Sequence, residues 1–104
     1  MDCLILIRPA VDPFCRGDIE DYLLDHLTGF ELLGGGTALG EVSESDIQLE
    51  LDDGRSAEGW ASEIQRLIQE IPVTEDTAWM DQQPLEFEIR IGDSQLAKWT
   101  RTKA

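Results

Sequence analysis

Cys3 to Ile7 is a continuous apolar run closed by Arg8-Pro9. Its length and its proline stop predict a strand buried on both faces, the central strand of a sheet. Pro9 to Gly17 reads as loop, punctuated by Pro9, Pro13 and Gly17. From Asp18 to Leu27 the period changes. Ile19, Leu23 and Leu27 fall on one helical stripe flanked by Tyr22 and His26, and Gly29 is placed to end the helix. Asp18, Glu20 and Asp21 then occupy its first turn, where the helix dipole favours acids. Phe30 to Leu33 predicts a second strand running into Gly34-Gly35-Gly36-Thr37. Asp46 to Asp52 alternates strictly, with Ile47, Leu49 and Leu51 on one side and acids and Gln48 on the other. The turn Asp53-Gly54 follows.

Ser56 is an N-cap for a second helix whose apolar stripe is Trp60, Ile64, Leu67, Ile68 and Ile71, stopped by Pro72. Residues 73–83 form an acidic loop carrying Trp79 and Met80. Pro84 opens the last strand, with Leu85, Phe87, Ile89 and Ile91 inward and Gly92 at its end. The order strand, helix, strand, strand, helix, strand predicts an α+β, ferredoxin-like βαββαβ two-layer sandwich. In it an antiparallel sheet of order 4-1-3-2 carries both helices on one face. The expectation is one domain over 1–93 and a C-terminal tail over 94–104, since 104 residues make one domain rather than two.

Charge sharpens the picture. The chain has 22 acidic and 8 basic residues, a net charge of −14. All the acids lie between Asp2 and Asp93, and the tail holds Lys98, Arg101, Lys103 and no acid. Such a surface repels nucleic-acid phosphate and anionic lipid and attracts a basic protein. No stretch reaches membrane-spanning length, and the apolar start lacks a basic flank and is too short for a signal peptide. A reducing cytoplasm with free thiols at Cys3 and Cys15 is therefore expected.

Candidate chemistry is sparse. Cys15 beside Arg16, ahead of a helix, could be a nucleophile or part of a small-ligand loop. The one histidine, His26, lies at the edge of an apolar stripe, where a structural role outweighs a catalytic one. One histidine and two scattered cysteines make no zinc site, and Asp53-Gly54 fits no calcium-loop register. No cofactor or metal is expected. Gly34-Gly36 lacks the lysine of a phosphate loop and reads as a bulge or close backbone approach on an edge strand. Arg16 sits where acylphosphatases of this topology keep an anion-binding arginine, but they also require an asparagine and this chain has none.

Leu33-Gly34-Gly35-Gly36-Thr37, Gly40-Glu41, Asp46 to Leu51 and a helix ending Ile71-Pro72 together resemble a group of small bacterial ferredoxin-like domains, over about residues 30–72. Some of these resemble immunity proteins of bacterial toxin systems. The resemblance carries no catalytic motif and implies a small bacterial cytoplasmic protein with a binding role.

The leading expectation is a non-enzymatic, acidic protein-binding module that neutralises a basic partner such as a toxin. The alternative is a small enzyme or ligand-binding domain using the Cys15/Arg16 loop, and a homodimer joined through the sheet is a third arrangement. Candidate contacts are Asp52, Asp53, Glu75, Asp76 and Asp81, in loops, with Trp79 and Met80 as apolar anchors. The sheet face without helices should show an apolar centre, either Leu4 and Leu6 or Cys3, Ile5 and Ile7, within an acidic rim. Leu96 and Trp99 of the tail are expected to cover it.

The charge generates a first prediction. DNA and RNA should not bind at micromolar concentration in physiological salt; retention of either on a filter under those conditions would contradict it.

Overall fold

The central-strand reading of the first residues holds in the structure, a computed structural model that describes residues 1–38 and 43–101. Gly40 and Glu41 of the family-like stretch, and Lys103 of the tail, lie outside these residues. The elements are β1 (Asp2–Arg8), α1 (Pro13–His26), β2 (Phe30–Ala38), β3 (Glu44–Leu51), α2 (Ala57–Glu70), a 3-10 turn (Ala78–Asp81), β4 (Leu85–Ile91) and β5 (Ser94–Arg101). Five antiparallel strands form one sheet in the order β2-β3-β1-β4-β5. β1 pairs with β3 on one side and β4 on the other, which its unbroken apolar run requires.

Two boundaries differ from expectation. α1 begins at Pro13, five residues before Asp18. Asp12 is its N-cap, accepting the Cys15 N–H at 2.8 Å, and Pro13 fills the first helical position, where a missing N–H costs nothing. Pro9 lies in the loop as expected, but Pro13 and Gly17 belong to the helix start, and Asp18, Glu20 and Asp21 lie in mid-helix. The tail is the second difference. Residues 94–101 form a fifth strand rather than a cover, because Gly92-Asp93 makes a two-residue hairpin with Gly92 at φ 60°.

One face of the sheet meets both helices. Ile5, Ile7, Ile47, Leu49, Phe87 and Ile89 pack there against Ile19 and Leu23 of α1 and Trp60, Ile64 and Ile68 of α2. β5 adds Trp99, stacked on Phe87 with ring centroids 5.3 Å apart. The register puts Arg101 on the same side, where Nη1 donates to the Ile68 carbonyl at 2.6 Å and Nη2 to the Ile71 carbonyl at 2.7 Å. α2 has no basic residue in its own last turn, so β5 supplies the cation that its C-terminal carbonyls lack.

The other face carries Leu4 and Leu6, settling which half of β1 points away from the helices. The tail does not lie over them. Leu6 is nonetheless only 4% exposed. Long charged side chains cross the face instead. Arg8 donates to Glu44 at 2.8 Å and to Glu86 and Glu88 at 3.1 Å each. Arg90 donates to the other Glu88 oxygen, and Lys98 lies 3.5 Å from Glu86. The charged heads meet one another, and Leu6 is buried, while Leu4 stays half-buried and lines an open cleft with Leu33, Gln48 and Arg90.

Glu88 is the buried node of this lattice. Burial pushes its carboxyl up, but hydrogen bonds from Arg90 and Arg8 outweigh that and hold it below its ordinary value of 4.5. A carboxyl depressed in the folded state contributes stability that is complete above its unfolded value and is lost as pH falls through the folded one. Glu88→Gln should therefore cost about 1–3 kcal/mol at neutral pH. It should also flatten the loss of stability below about pH 4.5, read from urea melts at several pH values; an unchanged acid limb would remove Glu88 as its source.

Candidate functional site

The N-terminal end of α1 and the loop before β4 enclose a cleft of about 510 Å³. Asp12, Asp18 and Asp21 line it from α1 and its cap, and Asp76 and Trp79 from the loop. The two sides are tied together by Trp79, whose Nε1 donates to Asp18 Oδ2 at 2.9 Å. Helical periodicity explains the mixture. Ile19 and Leu23 turn inward, so Asp18 and Asp21 turn toward the loop, and Phe14 points away from the core. Phe14 is 89% exposed, the most exposed large apolar residue among those described. The result is an aromatic rim on a pocket of carboxylates.

The expected site residues do not converge here. Asp76 and Trp79 line the cleft, and Glu75 is exposed beside it. Asp81 is half-buried and does not line it. Met80 is fully buried in the core and is no surface anchor: its 3-10 turn faces it inward while Trp79 reaches α1. Asp52 and Asp53 sit at the far end of the sheet, where the Asp52 N–H donates to the Gly29 carbonyl just past α1. α1 has 14 residues and so is about 21 Å long, which separates the two groups by roughly that distance. Asp52 has structural work there. Its carbonyl accepts from Trp60 Nε1 at 3.1 Å and its Oδ1 from the Gly54 N–H at 2.9 Å.

Sequence reasoning missed Phe14, Asp18 and Asp21 as site residues because it began α1 too late. The signal was present in Asp12-Pro13, an N-cap followed by a proline at the first helical position.

The residues of the catalytic alternative are placed but not assembled. Burial, then Asp12, pushes the Cys15 thiol up to about 11, so helix position does not activate it. Arg16 lies over β2, with Nη1 3.4 Å from Thr37 Oγ1 and Nε 3.8 Å from Glu20. His26 is at the opposite end of α1, stacked on Tyr22 at 4.0 Å with Nδ1 2.9 Å from the Tyr22 carbonyl. Among the described residues no three His, Cys, Asp or Glu side chains are placed to hold a metal ion, and no helix is long and apolar enough to cross a membrane. No family model, curated protein or solved structure matches the chain.

The raised thiol gives a prediction. Cys15 should react with iodoacetamide at pH 7.5 about tenfold or more slowly than an ordinary exposed thiol, by intact mass. Asp12→Asn keeps the cap and removes the charge, so alkylation should quicken. Equal rates in the two proteins would show that Asp12 does not hold the thiol up.

Proposed function

We propose that the chain is a ferredoxin-like sandwich extended by one hairpin strand, working as a non-enzymatic module that binds a basic protein. The strand order of β1 to β4, read from the β4 side as 4-1-3-2, supports the fold assignment. The observation that carries the function is the cleft itself: four carboxylates around a pocket whose rim is a nearly fully exposed phenylalanine. An exposed aromatic beside unopposed acids suits a surface presenting arginine or lysine next to apolar side chains. The ring offers apolar area and a face for cations, and the acids steer the approach.

A basic bacterial toxin is one protein with that chemistry, and neutralisation would then be by contact. The catalytic alternative has less support, since the Cys15 thiol is held up near 11 and His26 lies at the other end of α1.

A panel of small basic proteins and arginine-rich peptides, screened by surface plasmon resonance, tests the reading. A binder should associate more slowly as salt rises, because the Debye length shrinks from about 10 Å at 0.1 M to about 3 Å at 1 M. Phe14→Ala and Asp21→Lys should each weaken it about tenfold or more, while Asp53→Lys at the far end of the sheet should change it little. A partner indifferent to Phe14 and Asp21 would place the binding surface elsewhere.

A further inference from the structure

The two edges of the sheet are guarded differently. β5 carries exposed Lys98 and also Arg101, the charged side chains by which natural edges resist strand addition. β2 carries none from Leu32 to Ala38. In the sequence the uncharged run from Leu32 to Gly40 is the longest of the chain. β2 pairs with β3 along its length, and among the described residues no group bonds the N–H and C=O groups on its outer side. Three of its residues are glycines, which leave a second backbone room to approach. A register shift between Leu32 and Gly34 turns Leu33 out, 55% exposed, beside that edge.

We propose that β2 pairs antiparallel with β2 of a second copy of this chain, joining two five-stranded sheets into one of ten. Charge selects the occupant. A basic strand finds one acid on β2, Glu31, and is drawn to the carboxylates elsewhere. Two copies, each at −14, repel through most of their surface and least through this uncharged segment. The molecule measures 35 × 30 × 22 Å, so acids at its far ends lie several Debye lengths from the junction at physiological salt, where that length is about 8 Å. The pairing is distinct from the cleft, which lies at the N-terminal end of α1.

Sedimentation velocity of the full chain over a concentration series tests it together with hydrogen exchange. The expected result is a monomer–dimer equilibrium that tightens severalfold as salt rises, opposite in sign to binding of a basic partner. The amides of Leu32, Gly35 and Thr37 should exchange at least tenfold more slowly in the dimer. Leu33→Asp, at an exposed position, should abolish the dimer. Leu24→Asp, which adds the same charge at an exposed site on α1, should leave much of it. A monomer at every concentration and salt overturns the proposal. So does a dimer in which those amides exchange as in the monomer, or one that Leu33→Asp leaves intact. Phe14→Ala should not alter the dimer, so the cleft and the edge fail or stand separately.

Discussion

β1 is apolar on both sides, and only one side has a helix over it. That mismatch organises the molecule. Burying Cys3, Ile5 and Ile7 beneath α1 and α2 is the ordinary hydrophobic solution and accounts for the core. Leu4 and Leu6 have no such roof. Here charged side chains from β1, β3, β4 and β5 pair with one another across the face with Glu88 at the node, and Leu4 stays half-buried in a cleft beside them. Such a lattice has a condition attached. A buried carboxylate is tolerable only while both arginines hold it, so the order of this face depends on paired charge at Glu88.

The same lattice explains where the negative charge is left unopposed. Basic residues are few, and the described ones are engaged away from the cleft. Arg8, Arg90 and Lys98 are held on the open face, and Arg66 between Glu63 and Glu70 of α2. Arg55 sits over the Trp60 ring, and Arg101 caps α2. Arg16 lies over β2. Among the described residues, those without a countercharge include Asp12, Asp18, Asp21 and Asp76, around a cleft that exposes an aromatic ring. A net charge spread evenly would be a solubility device. Here the cations are withdrawn into structural roles, which leaves the carboxylates around the cleft free to act on a partner's charge.

Much of this was legible in the sequence, for physical reasons that can be named. β3, α2 and β4 each have an apolar period matching their conformation and a clear stop, so Ser56, Pro72, Pro84 and Gly92 mark boundaries that the structure keeps within a residue or two. α1 was harder because its apolar positions do not form a clean face; Phe14 and Leu24 are both exposed. Its true start depended on reading Asp12-Pro13 as a cap rather than a loop. β5 was missed because Lys98 and Arg101 looked like a tail. Their partners, Glu86 and two carbonyls of α2, lie far off in the chain and are visible only once strand pairing is known. Met80 shows the limit of loop reasoning: neighbouring residues in one short turn face opposite ways, and composition does not say which.

The glycine run joins these threads. Gly34 has φ 144°, a conformation other residues rarely adopt, and it sits at the register shift that turns Leu33 outward. Gly35 faces the helices, and a Cβ there would meet the Asp46 carbonyl and come within 3.0 Å of Arg16 Nε. Only a bare backbone at that position lets Arg16 lie across β2 toward Thr37, whose hydroxyl is 3.2 Å from Ser45 Oγ; that oxygen in turn takes the Val11 N–H at 2.9 Å. This chain of contacts fixes the β1–α1 loop and with it the start of α1, where Asp12, Phe14 and Asp18 line the cleft. The glycines that leave the sheet edge open thus also seat the helix end that carries the acids. An alanine at Gly35 should consequently disturb both regions, whereas a substitution at Leu33 should disturb only the edge.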